Sequence, residues 1–232
     1  MIATSFAAAI LMTATPVADT TIATYVGALS NVDPEVGQAL AEPNSPAYWY
    51  ATYQSLHQLA FRDAGDVSGP MTTHVVNGTA EVCYGGDQAM FETDPCTQLN
   101  SFTESPDGLI ISCTVDGNEL APRLGVASEA VAVGSTATAT VLVSYQRQDG
   151  SLAVILALEA IGPTSFSNAI TYVNPDGRQV EAIADIGPSD ILSGAHATFL
   201  ATFPASLPGG RLAWQASTVD AAAVTFEIPV PH

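Results

Sequence analysis

The sequence predicts an α+β protein in which N-terminal helices pack on a small antiparallel sheet and a β-sandwich follows. Three observations carry that prediction. Residues 19–65 hold two proline-initiated helix starts and an aromatic stripe at three- and four-residue steps. From Thr72 the apolar period changes to two. Beyond Val126 strand and turn signals alternate to the end, giving about seven strands in roughly a hundred residues. The expected division is a leader over 1–18, an α+β domain over 19–125 and a sandwich domain over 126–232.

The leader, MIATSFAAAILMTATPVA, is uncharged and small-residue rich, with an apolar centre from Phe6 to Met12. That is the pattern of a secretory signal, too short to span a bilayer, and it predicts export with cleavage near Ala14 to Ala18. No base precedes it, the first being Arg62, so an ordinary leading helix is the alternative.

In the helical region Asp33-Pro34-Glu35 and Ser45-Pro46 each set a capping side chain before a proline, the arrangement that starts helices. The second opens a segment in which Trp49, Thr52, Tyr53, Leu56, Leu59 and Ala60 form one apolar stripe, ending near Gly65. Its aromatics, Tyr48, Trp49, Tyr50 and Tyr53, read as core. Asn77-Gly78 between β-prone runs predicts a hairpin, and it is also a formal glycosylation sequon with Thr79. Strands over Gln98 to Thr103 and Leu109 to Val115 follow, joined by Pro106-Asp107-Gly108 and closed by Asp116-Gly117.

In the last hundred residues Ala137, Ala139, Val141, Val143 and Tyr145 alternate with more polar neighbours. Leu152 to Ile161 is apolar on both faces and suits a central strand. Further strands are expected at Ile170 to Val173, Gln179 to Ile183, Ala195 to Phe203, Arg211 to Ser217 and Val224 to Val230, with Pro229 and Pro231 marking the last as an edge. Strand number and turn spacing together predict an immunoglobulin-like sandwich.

Charge removes several function classes. The chain has 23 acids against 5 bases, all of them arginine, for a net charge of −18. Clustered positive charge is what displaces phosphate counterions, so nucleic acid is not an expected partner. The same count excludes polybasic membrane docking, Schiff-base lysine chemistry and a P-loop lysine. No later segment is long and apolar enough for a transmembrane span in the mature chain.

The stretch PDGLIISCTVDGNELAPRLG, followed by YVNPDGRQVEA and FPASLPGGRLAW, resembles uncharacterised exported actinobacterial proteins and lipoproteins. Those join a helix-plus-hairpin domain to a bacterial extracellular immunoglobulin-like domain, and the likeness runs over most of the chain from about Asp19. The resemblance implies an extracytoplasmic location, in the cell envelope or secreted, and supplies no catalytic residues. This chain lacks the lipobox cysteine of the lipoprotein members.

Three cysteines remain to be placed. Cys83 and Cys96 bracket a twelve-residue polar loop and are the expected disulfide in an oxidising compartment. Cys113 sits in an apolar run and reads as a buried thiol, with a bond to either of the other two as the alternative. Met71, His74 and Met90 are a weak copper(I) ligand set whose spacing matches no standard site. Between Arg62 and Arg123 eight acids from Glu81 to Glu119 have no base among them. Of these, Glu81, Asp87, Glu92, Asp94, Glu104 and Asp107 outline a face for a basic partner or a cation, or a solvated acidic surface.

No zincin, nucleophile-elbow or dinucleotide signature is present, and no cofactor is expected. The leading expectation is a non-enzymatic, exported, envelope-associated accessory or protein-interaction module with an unidentified envelope protein as partner. The alternative is a small-ligand or metal-binding extracytoplasmic protein whose pocket, between helix and sheet of the first domain, is lined by Trp49, Tyr53 and His57.

Overall fold

The computed structural model describes residues 16–65, 68–86, 96–167, 169–218 and 221–232, with the backbone alone described at 68–71, 84–86 and 221–222. The helices are α1 (Asp19–Ala28), α2 (Pro34–Gln38) and α3 (Pro46–Asp63). Both expected caps form: Asp33 accepts from Glu35 N–H and Ser45 from Tyr48 N–H, and a proline opens each helix where its missing N–H does no harm. Gly37 lets α2 lie directly on α3, because a Cβ there would stand 2.9 Å from that of Ala51.

A five-stranded antiparallel meander follows, in the order β1 (Ser68–Val76), β2 (Thr79–Gly86), β3 (Cys96–Glu104), β4 (Ile110–Val115) and β5 (Asn118–Glu119). Asn77 and Gly78, with φ of 51° and 75°, make the two-residue turn between β1 and β2. The linker before α3 is stitched to this sheet, Ile110 exchanging hydrogen bonds with Leu40 and Glu42.

The rest of the chain forms β6 (Leu124–Gly125), β7 (Val131–Val133), β8 (Ala137–Gln146), β9 (Leu152–Ala160), β10 (Thr164–Phe166), β11 (Thr171–Val173), β12 (Gln179–Glu181), β13 (Ala184–Ile186), β14 (Asp190–Ile191), β15 (His196–Phe203), β16 (Arg211–Thr218) and β17 (Ala221–Pro229). They fall into two six-stranded antiparallel sheets. One runs β13-β15-β9-β8-β6 with β7 also on β8, and the other β12-β11-β16-β10-β14 with β17 also on β16. As Pro229 foretells, β17 pairs on one side only among the described strands.

The layers stack with the β8–β9–β15 sheet in the middle. One face meets the β16 sheet across a cluster in which Leu152, Val154, Leu156 and Leu158 of β9 pack with Phe199, Trp214 and Phe226. The other face meets α3 and the first sheet across a second cluster, in which Val143, Tyr145, Ala153, Ile155 and Leu200 join Tyr50, Tyr53, Leu56, Phe61, Leu99 and Ile110. Residues on both sides of position 125 therefore share one core. This is why β9 is apolar on both faces.

Two expectations need correction. The alternation from Ala137 to Tyr145 predicts a single inward face, but a register shift between Val141 and Val143 inserts an extra residue opposite β9. Ala137, Ala139 and Val141 thus face the β16 sheet, while Val143 and Tyr145 face α3. The stripe expected on α3 is also too narrow. Trp49 and Leu59 are only partly buried, whereas Tyr50, Gln54, Ser55, His57, Gln58 and Phe61 are buried, because the helix lies between two sheets.

Candidate functional site

Polar groups concentrate where α3 crosses the middle sheet. Successive turns of the helix bring Tyr50, Tyr53, His57 and Phe61 into a row, each ring within 6.3 Å of the next. Tyr145, turned inward by the β8 bulge, packs on Tyr50 and Tyr53 with ring centres 5.4 and 4.9 Å away. Arg147, just beyond the end of β8, reaches the same row: Nη2 lies 2.9 Å from His57 Nε2, and Nε donates to Tyr53 Oη at 3.3 Å. A guanidinium has donors only, so His57 Nε2 is the acceptor and the neutral imidazole carries its proton on Nδ1. Burial, and then the Arg147 charge, hold the His57 pKa well below its ordinary value.

Arg123 closes the other side of Tyr145, its guanidinium carbon 4.7 Å from the ring centre. Its Nε donates to Gln146 O at 2.7 Å and Nη1 to Val115 O at 3.2 Å. Among the described residues it has no carboxylate partner, and Nη2 and the Tyr145 hydroxyl are buried without hydrogen bonds. Burial pushes the Tyr145 phenol pKa far up. The cluster therefore holds a neutral imidazole, the protonated Tyr145 phenol and two guanidiniums. Its chemistry is that of a fastening between layers, with the imidazole lone pair already committed to Arg147.

Of the residues expected to line a ligand pocket, Tyr53 and His57 are enclosed in this packed row, and Trp49 stands partly exposed at the start of α3 against Tyr48. A ligand there would have to displace the packing of α3 itself. Arg147, Arg123 and Tyr145 were missed by sequence reasoning, although arginines beside strand ends in a lysine-free chain are a legible signal.

The Cys83–Cys96 disulfide forms across directly opposed positions of β2 and β3, with Cα atoms 4.0 Å apart. It points to an oxidising, extracytoplasmic compartment. Cys113 is the buried free thiol, its pKa pushed up to about 12 by burial. Glu81 is exposed on β2, and Glu104 and Asp107 are exposed at the far end of β3 and the turn after it. Glu81 stands opposite Gln98 near the start of β3 and Glu104 lies at its other end, and these carboxylates do not gather as a metal site. Asp87, Glu92, Asp94 and Met90 lie outside the described residues, as does the Met71 side chain. His74 is exposed on β1. Among the described residues no three His, Cys, Asp or Glu side chains gather to hold a metal, and no helix is long and apolar enough to cross a membrane.

A cavity of about 470 Å³ opens at one end of the β16 sheet, between the Asn174–Gly177 turn and Gly209–Gly210. Arg211 and Glu227 line it and pair with each other at 3.1 Å. Comparison with protein-family models, with curated proteins and with solved structures found no match.

Proposed function

We propose that this chain is a non-enzymatic, exported envelope protein that serves as an accessory or protein-interaction module built on an immunoglobulin-like sandwich. The observation that carries the reading is strand order. Setting aside β6, β7, β10 and β14, the runs β8-β9-β15-β13 and β12-β11-β16-β17 follow the order A-B-E-D and C′-C-F-G expected of such a sandwich, which supports the reading. Such a frame holds end loops rigidly for contact with a partner. The disulfide supports the compartment, and the resemblance to exported actinobacterial proteins supports the envelope. The exposed acids Glu81, Glu104 and Asp107 supply the partner face, suited to a basic surface.

The test is an affinity pull-down of the tagged full chain from native envelope extract. The control bait carries Glu81→Gln, Glu104→Gln and Asp107→Asn. The expected result is a protein retained by the wild type and lost by the control. Identical captures from both baits, or none from either, would overturn the assignment.

A further inference from the structure

Asn77 and Gly78 occupy the turn between β1 and β2, and both of their amides point at one carboxylate. Asn77 N–H donates to Asp19 Oδ2 at 3.2 Å and Gly78 N–H to Asp19 Oδ1 at 2.7 Å. The contact ties the first turn of α1 to a hairpin tip 58 residues away, and Asn77 is exposed to water.

An Asn-Gly step is where a backbone amide most readily reaches the preceding side chain, since glycine has no Cβ to obstruct the approach. The Gly78 nitrogen gives its proton to water and attacks Asn77 Cγ. A C–N bond closes a five-membered imide while the Cγ–Nδ2 bond breaks, and Nδ2 takes a proton back from the solvent and leaves as ammonia. Water then opens either imide carbonyl, giving aspartate or isoaspartate. Overall one water is consumed and one ammonia released, with no change of oxidation state. The attacking nitrogen is the one whose proton Asp19 Oδ1 holds, and a neighbouring carboxylate disfavours the anionic nitrogen that attack requires.

We propose that Asn77 is a self-modification site of this protein and that Asp19 is its brake. While α1 is docked on the hairpin Asn77 persists; when α1 leaves, Asn77 converts. The product makes undocking permanent. A carboxylate at position 77 adds a negative charge to the turn whose amides hold the Asp19 carboxylate, and isoaspartate adds a backbone carbon to the turn that sets the β1–β2 register.

The experiment follows the Asn77 peptide by mass spectrometry during incubation of the full chain in neutral buffer, for the wild type, Asp19→Ala and Asp19→Asn, each folded and in urea. In urea the three rates coincide. Folded, Asp19→Ala converts about tenfold faster than the wild type, the factor carried by one hydrogen bond to a charged acceptor. Asp19→Asn, which keeps an acceptor and loses the charge, falls between. Asn118 serves as the internal standard and circular dichroism verifies the fold; should Asp19→Ala unfold, Asp19→Asn against the wild type decides. Equal folded rates would overturn the proposal, as would a slower variant, which would make Asp19 the base for the reaction.

Discussion

Toward the β16 sheet, the middle sheet presents Leu152, Val154, Leu156, Leu158, Phe199, Ala201 and Phe203, and the buried polar groups on that side, Thr136 with Thr164 and Asn174 with Ser206, are uncharged and paired with each other. Toward α3, it meets a helix that buries Gln54, Ser55, His57 and Gln58, with Arg123 alongside. The difference follows from where backbone groups end. Strands satisfy most of their N–H and C=O groups in ladders, so a core between sheets needs few side-chain donors, and Trp214 and Tyr172 supply them to Ser167 O and Leu207 O. A helical layer brings element ends indoors, and their carbonyls need donors. Gln58 donates to Leu29 O at the end of α1, and Arg123 donates to Val115 O and Gln146 O at the ends of β4 and β8.

The comparison is broken most severely from the apolar side. Trp214 is buried at 1% exposure among Phe166, Phe199 and Phe226, and its indole N–H reaches Ser167 O at 2.7 Å. Trp214→Ala is expected to cost about 3–5 kcal/mol through cavity formation, read from urea unfolding. A loss below about 1 kcal/mol would mean that this core is far less tightly packed than its burial implies. Next in size is the disulfide, which belongs to neither core. Cys83→Ser with Cys96→Ser should lower stability by about 2–3 kcal/mol, as expected for a short closed loop. Thermal melts with and without reductant check it, and reductant should leave the double variant unmoved.

The polar layer responds to a smaller change. Gln58→Leu keeps the volume and strands the Leu29 carbonyl, an expected loss of about 1–2 kcal/mol in urea unfolding. If the variant were as stable as the wild type, the polar groups on α3 would not be serving buried element ends.

Much of the fold was legible because it is written in local chemistry. Asp33 and Ser45 announce helix starts, Asn77-Gly78 announces a hairpin, and the doubly apolar Leu152 to Ile161 announces a strand covered on both faces. What was not legible depends on one residue of register. The bulge after Val141 reverses the facing of Tyr145, and no alternation pattern reveals where a ladder slips. The same blindness hid the polar row. Tyr53 and His57 were visible as residues, but their enclosure depends on a second sheet packing over α3, and their partner Arg147 is 90 residues from His57. The cavity beside Arg211 went unseen for a like reason: two turns legible as turns meet only in three dimensions.

The finest distinction between the two cores is protonation, because among the described residues the α3 layer buries a histidine, whose ordinary pKa lies near neutrality, and the cluster facing the β16 sheet does not. His57 is held neutral, with its folded pKa below the ordinary 6.5, by burial and by Arg147. Once pH falls below about 6.5 the unfolded chain binds a proton that the folded chain refuses, so stability declines with falling pH and is flat above that window. The slope from this one group is at most about 1.4 kcal/mol per pH unit. Urea midpoints between pH of about 7 and 5.5 should therefore fall for the wild type and fall less for His57→Gln, a window that lies above most carboxylate titration. Parallel curves would show that His57 takes up its proton without leaving the fold, and the contact with Arg147 would then not be holding the imidazole neutral. A smaller slope for the variant would place the acid sensitivity of the molecule at the seam between α3 and the middle sheet, where a helix rather than a strand closes the core.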